Sequence, residues 1–277
     1  MENSNIAWCN HTLNPWTGCA KVGEECRNCY AEYLARTKPN INVPWGPGQP
    51  RKPASEEMWK QPIAWNEKAR RAGVHARVFC ASLADVFDAE APAGLRERLF
   101  NVIGDTPHLD WLMLTKRAQL IKAQLQEIGA LDLMPLPNVW IGVSAGDQVN
   151  FDKRWKYLRE VPAVVRFCSY EPALGPIILP DDVQGRLDWL ICGGETAPKK
   201  GEGRIMQPEW ARTIRDQCAA MGVRFFFKQF GNWLLLPGGR REWHGKTSAI
   251  YARTGHLLDG VEWHQFPQPK QREAAQP

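Results

Sequence analysis

Between Arg77 and Lys228 the chain alternates short apolar runs with amphipathic stretches, a pattern that few architectures accept. The runs occupy residues 77–82, 110–115, 138–144, 164–169, 188–193 and 223–228. They are apolar on both faces, as strands buried on both sides of a parallel sheet must be. Between them, Leu95, Leu99 and Val102 recur at helical spacing, as do Ile121, Leu125 and Ile128, and then Phe151, Trp155 and Leu158. Gly129 ends one of these helices, and Pro208 opens and Gly222 stops the last. A further strand is expected at Ile6–Cys9. Six to seven parallel strands in such units predict an α/β fold, a complete or partial (β/α) barrel. An open doubly wound sheet is the alternative.

The pattern spans residues 1–231 as one barrel domain. Tyr30 to Arg36 reads as a short helix, and Met58 to Arg71 as a longer one stopped by Gly73. Between them lies a Pro/Gly-rich insertion, residues 38–55. Residues 232–277 leave the alternation and read as a C-terminal appendage packed on the barrel. Trp233, Trp243, Tyr251 and Trp263 are spread around its Pro237-Gly238-Gly239 turn, and the last ten residues are expected to fray. With 277 residues, 44% of them hydrophobic, the chain can bury a sizeable core.

The chain has eight cysteines. The first residues carry no basic, apolar leader, and no apolar run reaches membrane-spanning length, so a reducing cytoplasm without a membrane partner is expected. Clustered cysteines there bind metal or act in catalysis more often than they pair. Cys19, Cys26 and Cys29 fall in the loop 17–30 with spacing C-x6-C-x2-C. Three thiolates suit a [4Fe-4S] cluster with one iron left open. Cys9 or His11 is the candidate for a fourth ligand. Cys80, Cys168 and Cys192 lie inside apolar strands and Cys218 on an apolar helix face, so these are read as core.

In parallel β/α folds ligands gather at the carboxyl ends of the strands. Those ends carry Ser82 and Asp85, Lys116 and Arg117, Ser144 and Asp147, Tyr170 and Glu171, Gly193 with Gly194 and Glu195, and Lys228 with Gln229. The cysteine loop follows the N-terminal strand and would face the same mouth. The formal charge of +5 is compatible with phosphate-bearing substrates.

A three-cysteine loop after the first strand of a β/α barrel resembles the radical-SAM superfamily, although its usual first gap is three residues and here it is six. Asn28 stands where an aromatic residue often precedes the third cysteine, and Tyr30 follows it. A closer resemblance is to a phage and prophage family of three-cysteine proteins. It is carried by residues 14–19, Cys26-x-x-Cys29-Tyr30-Ala31-Glu32, residues 114–117, 140–144, Glu171-Pro172, Gly193-Gly194-Glu195, 227–231 and 257–263.

The resemblance implies a radical enzyme. Cys19, Cys26 and Cys29 would hold a [4Fe-4S] cluster whose open iron takes S-adenosylmethionine (SAM). Tyr30, Ser144, Glu171, Gly193, Gly194 and Glu195 are the candidates for holding SAM. Lys116, Arg117 and Lys228 are the candidates for meeting an anionic substrate: a small molecule, a nucleotide or nucleoside, or a nucleic-acid base. An external one-electron reductant is also expected. The rival is a non-enzymatic zinc protein with nucleic-acid affinity, in which Cys9 or His11 completes a tetrahedral site.

Overall fold

A computed structural model describes residues 1–199, 201–243 and 255–269. Its central sheet has seven strands: β1 (His11–Leu13), β2 (Ala76–Cys80), β3 (Leu109–Thr115), β4 (Val139–Ser144), β5 (Val165–Tyr170), β6 (Trp189–Gly193) and β7 (Arg224–Gln229). All are parallel and hydrogen-bonded in consecutive order, with β1 and β7 at the two ends. A doubly wound sheet reverses its strand order. This one does not, so it is a partial barrel.

The helices are α1 (Tyr30–Thr37), α2 (Glu56–Ala72), α3 (Leu95–Gly104), α4 (Ile121–Glu127), α5 (Gln148–Leu158) and α6 (Pro208–Met221). Helices α2 to α6 cover the outer face. Alternate strand residues such as Val78, Trp111, Ile141, Cys168 and Phe225 form one core with Trp65, Leu99, Ile121, Phe151 and Ile214. The residues of opposite parity face inward. Phe79, Leu112, Trp140, Phe167, Trp189 and Phe226 join Trp8 in a second, aromatic cluster. The Trp140 and Trp189 rings meet edge to face at 6.1 Å. Fully burying a large apolar side chain stabilises by about 1.5–3 kcal/mol, so this floor is a substantial part of the core. Further along the same strands the inward positions turn polar or small, at Ser144, Ser169, Gly193 and Lys228. The interior is therefore closed at the amino ends and open at the carboxyl ends.

The N-terminal strand is not at Ile6–Cys9. Pairing with β2 begins at His11, and Asn10 clips the entry, its N–H on Arg77 O and its Oδ1 accepting from Arg77 N. Trp8 and Cys9 are used to fill the floor instead. At the other end of the sheet, residues 263–265 run along the free edge of β7. Phe227 N donates to Trp263 O and Gln265 N to Phe225 O. Phe266 follows, 5.5 Å from the Trp189 ring, and the Arg77 guanidinium lies 3.8 Å above its centre. The edge is thus covered against strand addition. Tyr251 and most of the C-terminal stretch expected to fray, residues 270–277, lie outside the described residues. Among the described residues no helix is long and apolar enough to cross a membrane.

Gly142 makes room for the floor, because a Cβ there would sit 2.5 Å from the Phe167 ring. Gly142→Ala should lower stability by about 1–3 kcal/mol, the usual cost of overpacking. Gly104→Ala, where a Cβ meets nothing within 4 Å, should not. Thermal unfolding of the two variants checks this, and equal midpoints would refute the packing account.

Candidate active site

The loop 17–30 leaves the sheet after β1 and returns as α1, with Cys29 as the residue that caps the helix. Its residues 21–24 and Arg27 are exposed, so no apolar face holds them. Three buried charged groups do. Arg117 Nη2 donates to Ala20 O at 3.0 Å. Arg154 Nη1 reaches both oxygens of Glu25, at 2.9 and 2.6 Å, while Gly146 N donates to the same carboxylate. Asn28 Nδ2 donates to Glu195 Oε2 at 2.9 Å. Ala20, Glu25 and Asn28 are each one residue from a cysteine, so every thiol hangs from its own fixed point.

Arg117 belongs to a chain of buried charges. Asp85 accepts from Arg117 Nη1 at 2.9 Å, from Thr115 Oγ1 at 2.6 Å and from Lys116 N at 3.1 Å. Asp88 lies 3.7 Å from Arg117 and 2.9 Å from Arg51. Arg51 donates to Gly46 O and Gln49 O, and Gly46 N donates to Cys19 O. The Pro/Gly-rich insertion is thereby tied to the first cysteine. Burial disfavours charge on Arg117, but Asp85, Cys19 and Asp88 outweigh it and hold its pKa above the ordinary value.

The mouth itself holds fewer groups than the strand ends promised. Lys228 Nζ pairs with Glu171 Oε1 at 2.7 Å, and Ser169 Oγ donates to Glu171 Oε2. Ser144 Oγ donates to Glu171 O at 2.9 Å. Gly193 lies against the Glu171 carboxylate, which a Cβ would approach to 2.7 Å. Tyr30 donates its hydroxyl to Ser82 O at 2.6 Å and is 43% exposed as a residue. Lys116 is half-buried and makes no ion pair among the described residues.

Three expected mouth residues are placed differently. Arg117 is 7% exposed and committed to Asp85 and the loop, which leaves it unavailable to an anionic substrate. Glu195 is buried against Asn28 and Arg204. Burial disfavours its charge, but Arg204 and Asn28 more than compensate, so its pKa lies below the ordinary carboxylate value. Gly194 donates its N–H to Gln229 O, and a Cβ there would strike Phe230 O at 2.0 Å; the residue is needed for close packing. Glu25 and Arg154 were missed by sequence reasoning. A carboxylate within a cysteine loop and an arginine on the buried face of α5 were the available signals.

All eight cysteines are free. Cys80, Cys168, Cys192 and Cys218 are fully buried. Cys9 lies in the aromatic floor, its thiol pushed up to about 11 by burial. His11 stacks on Trp65 at 4.5 Å, on the outer, helix-covered face. Cys19, Cys26 and Cys29 are half-buried. Among the described residues no three His, Cys, Asp or Glu side chains are gathered as a finished metal cage. The donor set still fits an iron–sulfur cluster. It is three soft, free thiols, and soft thiolates select such clusters or zinc. Cations also stand by: Arg117 Nη1 is 3.5 Å from Cys19 Sγ, and Lys116 favours the Cys29 thiolate against the desolvation that raises that thiol's pKa.

A family model described as "Protein of unknown function (DUF5131)" matches residues 3–267. No curated protein matches. Among solved structures, the chain is similar to a spore photoproduct lyase variant with bound AdoMet and dinucleoside spore photoproduct, at 13% identity and TM-score 0.48, over 85% of this chain and 60% of that one. It is also similar to spore photoproduct lyase complexed with dinucleoside spore photoproduct, at 13% identity and TM-score 0.49, over 89% of this chain and 71% of that one. The chain thus spans about 60% of the length of the first of these.

The thiol environments predict a labelling pattern. Iodoacetamide on the metal-free, folded protein should modify Cys19, Cys26 and Cys29 and spare the other five, with all eight modified after denaturation. Burial pushes Cys19 up to about 11, so little of it is thiolate at neutral pH and it should react slowly. Mass spectrometry of peptides reads the result, and early labelling of Cys168 or Cys192 would contradict the buried placement.

Proposed function

The chain belongs to the DUF5131 family, and we propose that it is a radical SAM enzyme. The observation that carries the reading is the loop: three free cysteines, each beside a buried anchor, at the open end of a partial barrel. Cys19, Cys26 and Cys29 would hold a [4Fe-4S] cluster. When bound and reduced, that group supplies the electron that splits SAM into methionine and a 5′-deoxyadenosyl radical able to take a hydrogen atom from substrate. An external one-electron donor is required.

The chain's own residues position and shield. Glu171, held by Ser169 and Lys228, is the carboxylate available to the SAM ammonium group, with Gly193 leaving it room. The Ser144 hydroxyl holds the Glu171 backbone and keeps lone pairs to accept from a ligand. The ring of the half-exposed Tyr30 gives the cofactor an apolar wall. Lys116 and Lys228 face the same interior and suit an anionic substrate, for which a nucleotide, a nucleoside or a nucleic-acid base is our assignment. The aromatic floor keeps water from entering below. The zinc reading needs Cys9 or His11 as fourth ligand. One lies in the floor and the other on the outer face, so the geometry favours the radical reading.

Anaerobic reconstitution with iron, sulfide, dithionite and SAM tests this. A brown protein that forms 5′-deoxyadenosine is expected, and a colourless protein that retains only zinc would sink the proposal. Alanine at Cys19, Cys26 or Cys29 should abolish cluster absorption, whereas Cys168→Ala and Cys9→Ser should keep their iron. A charged hydrogen bond to phosphate contributes about 1.5–3 kcal/mol. Lys116→Gln, which leaves the Glu171–Lys228 pair in place, should therefore weaken an anionic substrate about ten- to hundredfold and SAM much less. Separate titrations of the two ligands decide between them, and a loss confined to SAM would move Lys116 to the cofactor site.

A further inference from the structure

Arg117 does more than the other two anchors, because it touches a ligand atom. Nη2 holds Ala20 O, while Nη1 is shared between Asp85 Oδ2 at 2.9 Å and Cys19 Sγ at 3.5 Å. Arg154 and Glu195 grip the loop only through Glu25 and Asn28. The guanidinium is buried and held by Asp85 on Nη1 and by Asp88, 3.7 Å from Nη2, so it cannot swing away from the sulfur. Asp85 is itself fixed by Thr115 Oγ1 and by the N–H groups of Lys116 and Phe87.

We propose that Arg117 is a positioning residue that sets the reduction potential of the cluster at Cys19, Cys26 and Cys29, through its N–H···S bond to Cys19 and a charge trimmed by Asp85. This rests on the radical SAM reading. A one-electron donor adds one electron to the cluster and no bond is made or broken, so the reduced site carries one more negative charge. A fixed cation and a hydrogen bond at a cysteine sulfur favour that added charge. Removing the cation should therefore lower the potential. Removing the opposing carboxylate should raise it. A purely structural role for Arg117 predicts neither sign.

The test uses the full chain, reconstituted anaerobically, without SAM or substrate. Iron and sulfide are counted, and the midpoint potential is read by dithionite titration followed by electron paramagnetic resonance. The variants are Arg117→Gln, Arg117→Lys and Asp85→Asn. Arg117→Gln should shift the reduction equilibrium about tenfold toward the oxidised form, about 59 mV lower for one electron. Arg117→Lys keeps the charge but not the planar fork, so it should shift less in the same direction. Asp85→Asn, which keeps an acceptor for Thr115, should shift the opposite way.

Loaded Arg117→Gln with an unchanged or higher potential overturns the inference. Should Arg117→Gln fail to fold or to take up iron, the other two variants decide. Opposite shifts support the inference, and potentials equal to wild type for both overturn it. A wild-type chain that takes up no cluster would instead remove the radical SAM reading itself, and this inference with it.

Discussion

The contact between Arg154 and Glu25 is the one the candidate site can least do without. Both side chains are almost completely buried, and the carboxylate also receives Gly146 N. Removing one partner of such a pair leaves a buried charge unmatched, at a cost of about 3–5 kcal/mol. The arrangement answers a specific difficulty. A loop that must present three thiols cannot also present an apolar face to the barrel. Its fixed points have to be polar, and they are strong only where water is kept out. The charges are therefore drawn from the ends of β3 and β6 and from the buried face of α5, where the barrel supplies dry, rigid ground.

The two faces of the sheet divide the remaining work. Outward residues pack under five helices, α2 to α6, and stabilise. Inward residues change character along each strand, from aromatic at the amino half to small or polar at the carboxyl half. A ligand at the mouth thus has a dry floor beneath it and a charged rim around it. Electrostatic contacts there act in a lower dielectric than at an open surface. The register shift between β6 and β7 falls at Gly193, where the rim meets the Glu171 carboxylate.

Much of the fold was legible because strands buried on both sides and helices with apolar stripes leave unmistakable periods. The apolar run Ile6–Cys9 misled for a simple reason: a filled barrel floor and a buried strand demand the same residue types. The site was legible at the cysteines and less so around them. Lys116 and Arg117 are adjacent and both basic, yet only Arg117 is drawn into a buried pair with Asp85. Gly193 ends β6 beside the Glu171 carboxylate, whereas Gly194 packs against Phe230 O. β3 and β6 stop at Thr115 and Gly193, so strand parity does not reach Lys116, Arg117 or Gly194. The partnerships Glu25–Arg154 and Asn28–Glu195 span 129 and 167 residues, and no local pattern encodes them.

The strap at 263–266 bears on how the molecule is made. Phe266 completes a floor whose other members, from Trp8 to Phe226, are translated earlier. Until that residue leaves the ribosome, the aromatic interior stays uncovered below and β7 has an unpaired edge. A nascent chain stalled before the strap would carry the sticky features of a folding intermediate: an open hydrophobic surface beside a strand in search of a partner. Emergence of the strap, and not of the last barrel strand, then marks the moment at which the barrel can close, so biogenesis of the cysteine site is timed by a segment that supplies none of its cysteines.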